Sequence, residues 1–166
     1  MAQVMFKGDP FHLSGEPPHA GDAAPDFTLL NGSTPVTLAD LPAKPRLLSV
    51  VPAIETKTCS LQTRAFNDRL AAYGERIAAY TVSLDPPELQ AHFCSTEGID
   101  NMQSLSDLPA RSFAESWGML VEETQLLGRA VFVLDACGTI TYAQIVPELT
   151  HEPDYEPALA ALDALI

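Results

Sequence analysis

The spacing of apolar residues changes several times along the chain, and each change predicts a different element of secondary structure. Continuous apolar runs are typical of buried strands, and four of them occur, at residues 47–51, 77–83, 130–134 and 140–146. Apolar positions at intervals of three and four predict helices. They occur over 58–73, where Gly74 ends the pattern, and more briefly over 88–93, 110–117 and 153–166. The longest helix is expected to bury a stripe formed by Leu61, Ala65, Phe66, Arg69, Leu70 and Tyr73.

Turn-forming residues predict the connections between these elements. The "KGDP" turn within residues 1–20 predicts an N-terminal β-hairpin, and Asn31-Gly32 predicts a turn between two further short extended segments. The sequence "DACGT" joins 130–134 to 140–146 as a hairpin, while "VEETQLLGR" is expected to be an exposed loop. The resulting order of elements predicts an α/β fold with a mixed central sheet flanked by helices. With 166 residues and no repeat or linker, we expect a single domain over 1–166, with the hairpin as an extension.

Composition and charge narrow the class of protein. The formal net charge of −13 argues against a nucleic-acid surface, which needs clustered Lys and Arg. Charged and proline residues interrupt the first twenty positions, which argues against a secretory signal and favours a cytoplasmic location. Three cysteines do not form the framework of a disulfide-rich secreted protein, and four dispersed histidines without a CxxC pair argue against a structural zinc site.

Cys59 is the cysteine whose position predicts reactivity. It lies within "PAIETKTC", directly after the buried strand at 47–51 and at the start of the longest helix, where Thr56 or Thr58 can cap the first turn. Free backbone N–H groups and the helix dipole stabilise an anion such as a thiolate there. A helix terminus contributes only about 1 kcal/mol, so a fixed cation is expected as well. Arg129, just before the strand at 130–134, is a better candidate than the exposed Lys57.

Several segments together resemble a known family. "PAIETKTC" is similar to the peroxiredoxin motif of a proline, a threonine four residues later and a cysteine three residues after that. The segments "VMFKGDPFHLSG", "AHFCSTEGIDNM", "GRAVFVLD" and "EPDYEPAL" resemble the thiol peroxidase subfamily, the atypical two-cysteine peroxiredoxins. This resemblance runs nearly from end to end, and it implies a thioredoxin-like fold with an N-terminal hairpin, usually in a homodimer.

The resemblance also implies a mechanism and a role for each site residue. Cys59 would attack the peroxide and become a sulfenic acid, while Thr56 would bond to the thiolate and the peroxide. Pro52 would shield the sulfur from water, and Arg129 would stabilise the thiolate and polarise the peroxide. Cys94 would resolve the sulfenic acid as an intramolecular disulfide, which thioredoxin would reduce. Hydrogen peroxide and alkyl or lipid hydroperoxides would be the substrates, and no metal, haem or flavin would be needed.

Three positions depart from the family pattern. Ala53 stands where serine is more usual, Glu55 where aspartate is, and His92 where arginine is. Because disulfide bonding needs Cα atoms within about 7 Å, we also expect the start of the helix at 58–73 and the segment around Cys94 to unwind during turnover.

Alternative interpretations remain open at this point. A cysteine hydrolase would pair Cys59 with a histidine, although no histidine is expected beside it and no oxyanion motif is visible. A thioredoxin-like sensor would use the same cysteines stoichiometrically to signal peroxide. Cys137, in the "DACGT" turn, matches nothing in the family pattern and is expected to take no part.

Overall fold

The computed structural model describes residues 2–166, which form eleven strands and four α-helices. The strands are β1 (Gln3–Phe6), β2 (Asp9–His12), β3 (Thr28–Asn31), β4 (Thr34–Thr37), β5 (Arg46–Val50), β6 (Ala78–Ser83), β7 (Gln103–Ser106), β8 (Leu120–Val121), β9 (Leu126–Leu127), β10 (Ala130–Leu134) and β11 (Ile140–Ile145). The helices are α1 (Lys57–Leu70), α2 (Pro87–Glu97), α3 (Ser112–Ser116) and α4 (Tyr155–Asp163), with 3₁₀ turns at Leu38–Asp40 and Gly74–Arg76.

Seven strands form one mixed sheet in the order β11-β10-β5-β6-β7-β3-β4. The three central strands β5, β6 and β7 are parallel, and the remaining neighbours pair antiparallel. The carboxyl ends of β5 and β6 therefore lie at the same edge of the sheet, where α1 and α2 begin. The predicted α/β fold with a mixed central sheet is confirmed.

Both faces of the central strands are covered, as their continuous apolar sequences predict. Side chains of β10 alternate between two clusters, because successive residues of a strand point to opposite faces. Val131 and Val133 pack in the cluster that includes residues of α1, α2 and α4, whereas Ala130, Phe132 and Leu134 pack in the cluster that contains α3. The sheet therefore fixes the start of β10, and with it the preceding residue Arg129, relative to α1.

One strand was not predicted, and one prediction about a connecting segment was wrong. The sequence "QSLS" forms β7, a strand that periodicity did not indicate because three of its four residues are polar. The segment predicted as an exposed loop before β10 contains the two short strands β8 and β9, in which Val121 and Leu127 are fully buried. Val121 packs in a cluster with Val4 of the N-terminal hairpin, whereas Leu127 packs in the main cluster with Phe113 and Phe132. Local sequence does not encode these long-range contacts.

The helix boundaries also differ from the predicted ones. α1 ends at Leu70 rather than at residue 73, and α4 is confined to Tyr155–Asp163. α2 continues to Glu97, so Cys94 lies inside this helix and not after it. No helix within residues 2–166 is long and apolar enough to cross a membrane.

The predicted buried stripe of α1 was right in part: Phe66 and Leu70 are buried and Tyr73 is partly buried. Leu61 and Ala65 are only partly buried and Arg69 is exposed, whereas Gln62, Thr63 and Asn67 are buried. Their side chains are satisfied internally, so burial does not leave polar atoms without partners. Gln62 accepts a hydrogen bond from Arg129, and Thr63 donates one to the Cys59 carbonyl. Asn67 makes hydrogen bonds with the segment after α2.

Candidate active site

Cys59 lies at the foot of α1, under the loop that follows β5. It is the third residue of the helix and fully buried. Thr56 occupies the N-cap position with extended backbone angles, but no side chain caps the helix, contrary to the prediction. The Thr56 hydroxyl instead donates to the Ala53 carbonyl at 2.9 Å, and the Thr58 hydroxyl donates to the Thr150 carbonyl at 3.1 Å. The Thr56 hydroxyl therefore ties the helix start to the loop before it, and the Thr58 hydroxyl ties the helix start to the segment at Thr150.

Arg129 is the cation beside the sulfur, as predicted. Its Nη2 donates to Cys59 Sγ at 3.4 Å, and its side chain is almost completely buried. Two unit charges at this distance attract by about 5 kcal/mol at an effective dielectric constant of 20, before the cost of removing them from water. A helix terminus contributes less, up to about 2 kcal/mol in a favourable buried geometry. The guanidinium is therefore the cation placed to interact with an anion at Cys59 Sγ.

Gln62 and the Leu149 carbonyl hold Arg129 in place. Arg129 Nη1 donates to Gln62 Oε1 at 3.0 Å, while its Nε and Nη2 donate to the Leu149 carbonyl at 3.0 and 2.8 Å. Gln62 Nε2 in turn donates to Ser49 Oγ of β5 at 2.8 Å. Four of the five guanidinium N–H groups are thus engaged, which leaves one on Nη1 without a partner among residues 2–166.

Gln62 was missed by the sequence analysis. The signal that could have found it is its position three residues after Cys59, which places both side chains on the same face of a helix. A polar residue on the sheet-facing side of a helix needs a buried partner, and here the partner is the active-site arginine.

The N-terminal hairpin supports the site from outside the sheet. Met5 of β1 exchanges two backbone hydrogen bonds with the segment after β11, from its amide to the Pro147 carbonyl at 2.6 Å and from the Leu149 amide to its carbonyl at 2.8 Å. Glu148 lies between these contacts, and hydrogen bonds from the Thr150 amide and hydroxyl lower its pKa to about 2 despite some desolvation. The hairpin thereby fixes the carbonyl that holds Arg129.

A pocket of about 290 Å³ lies over the foot of α1, and Arg129 is part of its lining. Its apolar wall comes from the hairpin and from the segments flanking β10, and its polar wall comes from the loop before α1. The lining residues are Phe6, Pro52, Ala53, Thr56, Lys57, Thr58, Thr124, Leu126, Leu127, Arg129, Leu149 and Thr150. Pro52, Thr56 and Arg129, which the sequence analysis selected, therefore meet at one pocket, and Cys59 is buried beside Arg129.

Cys94 lies on α2, and no disulfide joins it to Cys59. Both cysteines are free, and both border the hydrophobic cluster under α1, α2 and α4. Burial raises the pKa of the Cys94 thiol above its ordinary value, and a hydrogen bond with Ser104 opposes that shift without cancelling it. The folded protein thus keeps Cys94 in the neutral, weakly nucleophilic form at neutral pH.

The raised pKa predicts how Cys94 reacts with an alkylating reagent. Since only the thiolate is alkylated, we expect iodoacetamide labelling of Cys94 in the reduced, folded protein to rise with pH through a midpoint above the ordinary thiol value of about 8.5. Mass spectrometry of quenched digests measures this profile. The same profile in urea should move to the ordinary value. A folded-state midpoint at or below it would contradict the environment described for Cys94.

The other candidate groups lie elsewhere. Cys137 is exposed in the turn between β10 and β11, where its amide donates to Asp135 Oδ1 at 2.9 Å. No histidine between residues 2 and 166 lines the pocket or hydrogen-bonds to Cys59, so a Cys–His hydrolase site is not formed there. Over the same range, no cluster of three or more His, Cys, Asp or Glu residues could hold a metal ion.

Comparison with known proteins places this arrangement in a family. The Redoxin family model matches residues 19–159. A thiol peroxidase of Staphylococcus aureus (strain MRSA252) is 48% identical over 162 residues, covering 97% of this chain and 98% of the relative. A thiol peroxidase of Bacillus subtilis (strain 168) is 44% identical over 167 residues, covering 100% of this chain and 99% of the relative.

A solved structure shares the fold along the whole chain. The crystal structure of a peroxiredoxin-like protein from Aquifex aeolicus superimposes with a TM-score of 0.92 at 30% identity, covering 100% of this chain and 98% of that one. Family match, full-length identity and fold agree with the buried Cys59–Arg129 pair. The chain therefore belongs to the Redoxin family and, within it, to the thiol peroxidases, peroxiredoxin-type oxidoreductases that reduce peroxides with a thiol.

Proposed function

We propose that Cys59 is the peroxidatic cysteine, and the contact between Arg129 Nη2 and Cys59 Sγ is the observation that carries this assignment. The thiolate attacks one peroxide oxygen and the O–O bond breaks. The attacked oxygen stays on sulfur as a sulfenic acid, while the other leaves as water or an alcohol after taking up a proton. Arg129 stabilises the thiolate before the reaction and the negative charge that develops on the leaving oxygen during it.

Thr56 and Pro52 bind and shield the peroxide in this proposal. Thr56 Oγ lies at the pocket wall, and its hydroxyl can turn from the Ala53 carbonyl towards a bound peroxide oxygen. Pro52 has no N–H group to bind water, and its ring covers the loop side of the pocket. The apolar wall from Phe6, Leu126 and Leu149 suits alkyl and lipid hydroperoxides as well as hydrogen peroxide.

Cys94 acts as the resolving cysteine. Its sulfur attacks the sulfenic acid, a disulfide forms between Cys59 and Cys94, and water is lost. Cys94 is held inside α2 and Cys59 is buried at the start of α1. We expect these helix segments to unwind locally as the disulfide forms, because it needs Cα atoms within about 7 Å. Unwinding also exposes Cys94 to water, which removes the burial that raises its pKa.

The remaining parts of the proposal follow from the family. Thioredoxin reduces the Cys59–Cys94 disulfide, and the protein works as a homodimer of single-domain chains in the cytoplasm. Neither a metal nor an organic cofactor takes part, because the two electrons for each peroxide come from the two thiols.

The Cys94→Ser variant tests this proposal. We expect it to consume one equivalent of peroxide per chain at the wild-type rate, because Cys59 and Arg129 are unchanged, and then to stop in the presence of thioredoxin, thioredoxin reductase and NADPH. NADPH oxidation and trapping of the sulfenic acid with dimedone measure the two steps. Cys137→Ser is the matched control and should cycle normally.

Normal cycling of Cys94→Ser with thioredoxin would show a one-cysteine mechanism instead. If the wild-type protein consumed peroxide once but was never turned over by thioredoxin, the stoichiometric sensor would be the better description.

A further inference from the structure

A chain of hydrogen bonds, buried at its α2 end and partly buried at Asp85, connects the loop before α1 with helix α2, outside the contacts of Cys59 and Arg129. Gln90 Nε2 of α2 donates to Ser83 Oγ at 2.9 Å, and Ser83 Oγ donates to Asp85 Oδ2 at 2.7 Å. The same Asp85 oxygen accepts the Ile54 amide at 2.7 Å. Ile54 is the middle residue of the segment from Pro52 to Thr56, so the chain ends inside the active-site loop.

The direction of each bond in this chain is fixed. A serine has one hydroxyl hydrogen, which Ser83 gives to the Asp85 carboxylate, so its oxygen accepts from Gln90. Ser83 and Gln90 are fully buried. The Gln90–Ser83 and Ser83–Asp85 bonds run in one direction and strengthen one another in a medium of low dielectric constant, whereas the Ile54 amide is a second donor to the same Asp85 oxygen. Gln90 and Ser83 therefore act on Ile54 by position: they hold the Asp85 carboxylate in the orientation that accepts the Ile54 amide, and loss of the Gln90 bond holds that carboxylate less firmly.

Strand β7 supports the chain of hydrogen bonds at Gln90 and at Asp85. The second hydrogen of Gln90 Nε2 bonds to the Leu105 carbonyl at 3.0 Å, and the Ser106 hydroxyl donates to the Asp85 carbonyl at 2.6 Å. Removing the Ser83 hydroxyl would thus cut the chain in the middle. Asp85 would keep the Ile54 amide as a partner and Gln90 would keep the Leu105 carbonyl, but each side chain would be held less firmly.

We propose that Ser83, Asp85 and Gln90 couple the active-site loop to α2, with Asp85 as a positioning residue for the loop that carries Thr56. Gln90 lies one helical turn before Cys94, on the same face of α2. Opening of α2 around Cys94 then loosens the Ile54 amide, and a closed loop favours a closed α2. This consequence rests on the proposed resolving role of Cys94, whereas the coupling itself does not.

Amide hydrogen exchange of the reduced protein without peroxide, followed by NMR, tests the coupling. The Gln90→Leu variant is expected to speed exchange of the Ile54 amide about threefold, because a less firmly held Asp85 carboxylate loses part of its hydrogen bond to that amide, although Gln90 itself donates to Ser83 and Leu105. In a Ser83→Ala background the same Gln90→Leu change should leave the Ile54 rate as it is, because the connection is already cut. The Phe132 amide in β10 reports global stability and should not change in step with Ile54.

Gln103→Leu in β7 is the matched control, since it makes the same side-chain change at an exposed position, and it should leave Ile54 exchange unaltered. Should Gln90→Leu not fold, Ser83→Ala alone should speed exchange at both Ile54 and Cys94 relative to Phe132. An unchanged Ile54 rate, an equal effect of Gln90→Leu in both backgrounds, or a parallel rise at Phe132 would overturn the coupling. None of these readouts depends on peroxide chemistry, so a failed coupling and a failed Cys94 assignment are distinguishable.

Discussion

The Cys59→Ser variant is expected to lose at least about a thousandfold in peroxidase rate, the scale on which enzymes lose activity without their nucleophile. A serine hydroxyl stays protonated near neutral pH, and the neighbouring guanidinium cannot ionise it to a useful extent. The substitution exchanges one sulfur for one oxygen in a fully buried position, so the pocket keeps its shape. Stopped-flow measurement of peroxide consumption in the wild-type and variant proteins checks this.

Cys137→Ser is the matched control, because it makes the same substitution at an exposed cysteine in the β10–β11 turn. It should keep the wild-type rate. A Cys59→Ser protein that still reduced peroxide at a comparable rate would remove Cys59 from the reaction altogether.

The Arg129→Met variant is expected to lower the rate constant of the first peroxide attack by about a hundredfold, the usual effect of removing one donor aimed at a developing anion. Methionine fills much of the same volume, but it carries no charge and leaves the Leu149 carbonyl and Gln62 Oε1 without their donor. The rate constant of Arg129→Lys should lie between those of the wild-type protein and Arg129→Met, since an ammonium group restores the charge but not the planar set of guanidinium donors. Single-turnover kinetics with hydrogen peroxide measure the constant directly.

Arg46→Met controls for the loss of a buried arginine. Arg46 begins β5, is as buried as Arg129, and donates to the Lys44 and Asp135 carbonyls, away from the pocket. Both variants should lose stability, and thermal unfolding will give the temperature at which both remain folded. Equal losses of peroxide reactivity in the two variants would mean that Arg129 acts only through stability.

The sequence predicted the scaffold of the site well, because continuous apolar strands and turn residues are local signals. The strand ending before Pro52, the helix beginning near Cys59 and the strand following Arg129 all lie where expected. The motif resemblance added Thr56 and Cys94, which apolar periodicity alone does not distinguish from other polar residues. The structure places Pro52, Thr56 and Arg129 at one pocket beside Cys59. Cys94 lies apart from this pocket on α2, where its thiol has a hydrogen bond with Ser104.

Interactions between distant segments escaped prediction. From the sequence alone, Gln62 is expected on the surface of a helix. In the fold, the start of β10 places Arg129 within hydrogen-bonding distance of it. The Leu149 carbonyl is a backbone group, and only the pairing of its segment with Met5 fixes its direction. The polar strand β7 is defined by its neighbour β6 and by the bonds of Gln90 and Asp85, not by its own apolar pattern.

A disulfide map after a single oxidation tests the central claim most directly. Reduced protein would receive one equivalent of hydrogen peroxide per chain, be quenched with an alkylating reagent and be digested without reductant for mass spectrometry. We predict rapid formation of a crosslink between Cys59 and Cys94 within one chain, with Cys137 alkylated. Three alkylated cysteines together with unconsumed peroxide would contradict the assignment of Cys59 as the reactive thiol.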